Sequence, residues 1–175
     1  MSEGIPDHID LMRAAKLGSQ YQGAIRLARM HRLSELLAEK SGQIDIDVQF
    51  GINDDHHSYL AGRACGQLSL PCQRCMQPLT EDIDVTFELV LVESEYQSQQ
   101  LDEDIDVLVV DTIPASFIDI VEDELLLGFP AVYMHEADAC SATPYMQDKR
   151  EIQTNEKGAE KNNPFDVLKD LKLDG

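Results

Sequence analysis

Basic residues are scarce where this chain is richest in acid. Residues 41–148 hold 22 Asp and Glu against two basic residues, Arg63 and Arg74. A domain with that balance repels a phosphate backbone and attracts cationic partners, so direct RNA binding through it is excluded as a leading role. The chain also lacks any run near the ~20 apolar residues that a membrane helix requires. Its start, Met1-Ser2-Glu3-Gly4-Ile5-Pro6-Asp7, has no basic stretch leading into an apolar one, the mark of a secretory signal. There is no phosphate-cradling glycine loop, no serine-nucleophile motif and no internal repeat. The expectation is a cytoplasmic protein with no membrane partner and no small-molecule substrate, its four cysteines reduced or bound to metal.

Acid is missing elsewhere in turn. No Asp or Glu occurs between Leu11 and Ser34, whereas Arg13, Lys16, Arg26, Arg29 and Arg32 all do. These five are candidate RNA contacts. Only Tyr21 among them offers a face for base stacking, and the plainer alternative is a set of surface cations balancing the acidic centre.

What is present is organised around Leu68-Ser69-Leu70-Pro71-Cys72-Gln73-Arg74-Cys75-Met76-Gln77-Pro78-Leu79. Leu68, Leu70 and Cys72 alternate before the Cys-x-x-Cys turn, and Ile83, Val85, Phe87, Leu89 and Leu91 alternate after it. Period-two alternation predicts two antiparallel strands folded about a cysteine knuckle. Ile44–Ile52 is a further strand, followed by a polar turn at 53–57. Strands are expected over Tyr59–Ala64 and Gly66–Cys72, with bulges or bends at Gly62 and Gly66. Residues 24–28 read as extended, and a helix from near Arg29, carrying Met30, Leu33, Leu36 and Leu37, ends at Gly42. Residues 5–22 carry no clear pattern. Residues 93–104 read as an exposed loop and Ile105–Val110 as a short strand. A helix capped by Ser116 runs to Leu127, with Phe117, Ile120, Val121, Leu125 and Leu127 inward.

The organisation expected is one acidic domain over residues 1–146, a flexible linker over 147–163 and a short helix over 164–175. The fold class is α+β: a mainly antiparallel sheet around the knuckle, with two or three short helices.

Cys72 and Cys75 have the spacing of half a zinc site. His135 and Cys140 are the sensible second half, because Cys65 lies in a strand and His56 and His57 lie in a turn. The alternative is a turn holding two free thiols. The carboxylates of 102–106 and 122–124 are not patterned with any His, Lys or nucleophile, so no catalytic constellation is visible.

The Cys72-Gln73-Arg74-Cys75 knuckle does not stand alone. It is joined by Ile118-Asp119-Ile120-Val121-Glu122-Asp123-Glu124-Leu125-Leu126-Leu127, by Phe129-Pro130, by the closing Asn163-Pro164-Phe165-Asp166-Val167-Leu168 and by Tyr21-Gln22-Gly23. With this ordered set the chain resembles the YceD family, the large ribosomal RNA subunit accumulation proteins, from about Tyr21 onward. The resemblance implies a role in the synthesis, processing or stability of large-subunit ribosomal RNA, and no enzymatic activity. Many such relatives carry further cysteines after the position of Pro130, where this chain has only His135 and Cys140.

Two function classes follow. One is a ribosome-assembly factor that acts by binding. Its partner would be a large-subunit precursor, or a basic ribosomal protein held by Asp102, Glu103, Asp104 and Asp106, with rRNA touched only through Arg13–Arg32. The other is a thiol- or zinc-dependent enzyme or redox sensor built on the knuckle.

Overall fold

The computed structural model describes residues 4–146 of the chain. The linker and C-terminal helix expected over 147–175 lie outside the described residues. The described elements are β1 (His8–Ile9), α1 (Leu11–Leu17), β2 (Gln20–Arg26), α2 (His31–Leu36), β3 (Gln43–Ile52), β4 (Ser58–Pro71), β5 (Pro78–Val92), α3 (Glu95–Ser98), β6 (Val107–Val109), β7 (Ala115–Ser116), α4 (Phe117–Leu127) and α5 (Thr143–Met146). Residues up to Thr143 form one compact unit, and a second begins at Pro144.

The architecture is α+β. A five-stranded sheet runs in the order β2-β3-β4-β5-β6, antiparallel except where β6 lies parallel to β5. β1 and β7 form a separate two-stranded ribbon. Alternation sets the faces. Ile44, Ile46, Val48 and Phe50 of β3 and Leu60, Ala64, Leu68 and Leu70 of β4 are buried beneath the helices. The opposite face carries Asp45, Asp47, Arg63 and Asp84 and meets water. Tyr21, Phe50 and Phe117 stack edge-on or tilted, with ring centroids 6.0–6.4 Å apart, and tie α4 to the sheet.

The long β4–β5 hairpin is the spine of the molecule. Its register runs unbroken from Ser58 opposite Leu91 to Pro71 opposite Pro78, and residues 72–77 form its tip. The central strand is therefore continuous through Gly62 and Gly66, which are neither bulges nor bends. Glycine is required at position 62 by close approach: a Cβ there would lie 2.5 Å from Val48 Cγ1 and 2.9 Å from Phe87 Cζ.

The N-terminal third departs from the pattern expected of it. The unpatterned stretch holds α1, with Asp10 accepting from the Arg13 amide at 3.0 Å and Gly18 closing the helix at φ 62°. Strand β2 starts at Gln20 rather than Ala24, and Leu27–Arg29 forms a 3-10 turn. Helix α2 stops at Leu36, not at Gly42. The chain then extends so that Ala38 donates to the Ser69 carbonyl at 2.7 Å. Leu36 is exposed while Leu37 is buried, because the helix ends between them. Within the loop expected at 93–104, Glu95–Ser98 makes one helical turn. Leu127, expected inward on α4, is 80% exposed.

Candidate metal centre

At the hairpin tip the strands diverge and the backbone turns on itself. Cys72 donates its amide to Gln77 O, and the Met76 amide returns to Cys72 O, both at 2.9 Å. This turn directs amides at sulfur: the Arg74 N–H points at Cys72 Sγ, 3.4 Å away. The second half of the centre comes from the segment after α4. The Gln73 amide donates to Tyr133 O at 3.1 Å, and the Arg74 guanidinium donates to the His135 carbonyl. A tight loop then brings Cys140 back, with Thr143 donating its amide to Cys140 O at 3.0 Å and its hydroxyl to Ala137 O at 2.6 Å.

The outcome is a cluster of Cys72, Cys75, His135 and Cys140 whose ligand atoms all lie within 4.8 Å of one another. Tetrahedral zinc with bonds of about 2.3 Å would set its sulfurs about 3.8 Å apart, so the cluster needs only slight contraction to hold it. Cys75 Sγ lies 3.3 Å from His135 Nδ1, and His135 Nε2 lies 3.1 Å from the Pro78 carbonyl oxygen. A carbonyl can only accept, so Nε2 carries a proton, and Nδ1 is the nitrogen turned toward the thiols and left to ligate. That is the orientation a metal-binding histidine needs. Cys72 and Cys140 are buried, and Cys75 and His135 are half-buried.

The electrostatics favour thiolate. Burial pushes the Cys72 thiol up, but the amides of Cys75, His135 and Arg74 more than reverse this and leave it at about 5. The Cys75 thiol is lowered by the Gln77 amide, against the effect of burial. His135 is raised, chiefly by its hydrogen bond to Cys75, with burial opposing. Three thiols and one imidazole, with amides aimed at sulfur, are the donor set of a closed structural zinc site. Bound there, zinc would act as a cross-link between the hairpin tip and the segment after α4.

The other residues singled out from the sequence are not gathered in this way. Arg13 and Lys16 lie on α1, before β2, while Arg26, Arg29 and Arg32 lie at or beyond its far end. Arg29 pairs with Asp7, and Arg32 with Glu122 and Asp123. Asp102, Glu103, Asp104 and Asp106 are all exposed on the loop entering β6. Cys65 sits half-buried on β4, outside the cluster.

Sequence reasoning missed two participants and one backbone feature of the knuckle. Pro78 contributes only a backbone oxygen, which no residue type advertises. Arg74 reads as an ordinary surface cation until its inward turn is seen, and among the described residues its Nε is a buried side-chain nitrogen without a partner. Met76 stands in the left-handed region at φ 61°.

The family model described as "Large ribosomal RNA subunit accumulation protein YceD" matches residues 60–172, which take in nearly all of the β4–β5 hairpin and the four clustered ligands. The chain belongs to the YceD family. Among curated proteins of that family, the Haemophilus influenzae protein named "Large ribosomal RNA subunit accumulation protein YceD" is 26% identical over 169 residues, 96% of each chain. No solved structure matches the chain. No helix among the described residues is long and apolar enough to cross a membrane.

Proposed function

We propose that the chain supports the accumulation of large-subunit ribosomal RNA in the cytoplasm as a non-catalytic binding factor, with Cys72, Cys75, His135 and Cys140 holding a structural zinc ion. Membership of the YceD family supports the first half. The convergence of four ligand atoms within 4.8 Å supports the second, and it is the observation that carries the reading. A thiol enzyme or redox sensor would need an accessible sulfur. Cys72 and Cys140 are buried, and the half-buried Cys75 faces His135 within the cluster, which leaves no freely accessible thiol among the four ligands.

The partner is a basic protein of the large subunit or its precursor. Residues 41–148 carry 22 acidic and two basic residues, and both basic ones are engaged: Arg63 with Asp84, Arg74 with His135. Such a surface steers cationic proteins inward and keeps RNA away. The exposed loop of Asp102, Glu103, Asp104 and Asp106 is its forward edge, and Arg13–Arg32 offers the surface on which pre-ribosomal RNA would be tolerated. Association of the full chain with proteins extracted from purified large subunits tests this. Binding should weaken steeply as salt rises, since exposed charges are screened within about 10 Å at 0.1 M. Neutralising the four loop carboxylates should slow association more than it hastens release. Tight binding of naked large-subunit rRNA, with none of the extracted proteins, would overturn the reading.

A further inference from the structure

The metal cluster joins two exposed methionines. Met76 follows Cys75 directly and Met134 precedes His135, and Cys75 Sγ and His135 Nδ1 lie 3.3 Å apart. The contact that forms the centre thus carries both methionines to the same end of the molecule, where Met76 is 69% and Met134 43% exposed. Val132, on the same segment, is also exposed. Phe129 and Tyr133, ring centroids 6.0 Å apart, pack beneath against the core.

Met76 is unfavourable on two counts. A flexible apolar side chain stands in water, and its backbone occupies the left-handed region, φ 61°, where glycine fits without cost. Glycine at this position would close the knuckle at less strain. Among the described residues the methionine side chain stands mostly free, so its stability penalty has no structural return there. Methionine is the residue that adapts its shape to an apolar partner surface.

The surroundings set the charge of what could cover it. Residues 72–82 and 129–140 contain one basic residue, Arg74, and its guanidinium is turned inward onto the His135 carbonyl. The same segments carry Glu81, Asp82, Glu136 and Asp138. Exposed methionines on segments whose other charges are carboxylates are complementary to a cationic protein segment that presents an apolar anchor. They are not complementary to RNA, whose phosphates those carboxylates would repel.

We infer that the methionine patch at the metal end, centred on Met76 and Met134, is the anchoring surface for a basic protein segment. This inference rests on the reading that the chain acts by binding a basic large-subunit protein, and it names where on the acidic surface that partner is held. The long-range charge of residues 41–148 would bring the partner in, and the methionines would hold it, so loss of the patch acts on release rather than on association.

The test uses the full chain as purified, labelled with ¹³C in its methionine methyl groups and titrated with proteins extracted from large subunits. Met76 and Met134 methyl signals should shift or broaden first, while that of Met30, fully buried in the core, stays in place. Met76→Gly should bind the extracted proteins about ten-fold more weakly, the loss expected from withdrawing one buried apolar side chain. Its melting temperature should be no lower than that of the wild type. Met134→Ser gives an independent check with a normal backbone angle and should weaken binding in the same direction. Binding of Met76→Gly and Met134→Ser at wild-type strength would overturn the inference, as would methyl perturbation by naked rRNA but not by the proteins. Failure of the wild type to bind any extracted protein would instead remove the parent reading and the inference with it.

Discussion

Glu124 shows at the scale of one residue what the acidic composition costs. It lies on α4 near Asp106 and Asp123, and burial first, then those two like charges, raise its pKa. A carboxyl raised above its unfolded value favours the fold most where it is protonated, and that contribution is lost as pH rises through the folded value. Glu124→Gln should therefore melt higher than the wild type at pH 7. The gap should close below about pH 4, where the carboxyl is protonated in both states. A constant gap across that range in thermal melts would show that charge is not the cause. Residue identities were also where the metal centre was legible. Cys-x-x-Cys spacing gives half a site, and His135 and Cys140 remain once cysteines and histidines in strands and turns are set aside. The Pro78 carbonyl and the inward turn of Arg74 were not legible, because each depends on where a distant segment returns.

At the scale of elements, α2 depends on a residue 89 positions away. Its N-cap, Met30, has no side chain able to cap, and the Leu33 amide is satisfied instead by Glu122 Oε1 of α4 at 2.9 Å. Glu122 Oε2 accepts from Arg32 Nε at 3.3 Å, and Glu122 is only 2% exposed. Glu122→Ala leaves a buried amide unpaired and should cost about 2 kcal/mol in urea unfolding. Glu122→Gln keeps an oxygen for Leu33 and should cost about half that. Equal costs would mean that the cap is not the operative contact. The start of α2 is thus fixed by a partner in α4, and its end, expected at Gly42, comes at Leu36 because the chain extends there to pair the Ala38 amide with the Ser69 carbonyl. Helix α1 escaped notice for a different reason. Two turns with Leu11, Ala14 and Ala15 inward give the right spacing but a faint signal, since alanine marks a buried face poorly. Strand β3 alternates over its whole length and β5 from Ile83 to Leu91, so both were legible, whereas β4 read as two strands because Gly62 and Gly66 leave gaps in its buried face. Helix α4 carries its own cap, Ser116, and was legible as well.

For the whole molecule the proposed reading gives the acidic surface the partner and gives the Cys72, Cys75, His135 and Cys140 cluster a structural ion. The long β4–β5 hairpin carries the knuckle to one end, and zinc there would fix the segment after α4, which is otherwise held by Phe129 and Tyr133 against the core. A structural site of this kind couples metal binding to folding. Native mass spectrometry of the full chain, purified without chelator, tests this most directly. The account predicts one zinc per chain, lost in Cys140→Ser. It further predicts that among the four cysteines only Cys65 reacts readily with a thiol reagent until zinc is removed. A metal-free chain with Cys72, Cys75 and Cys140 reacting as freely as Cys65 would contradict it.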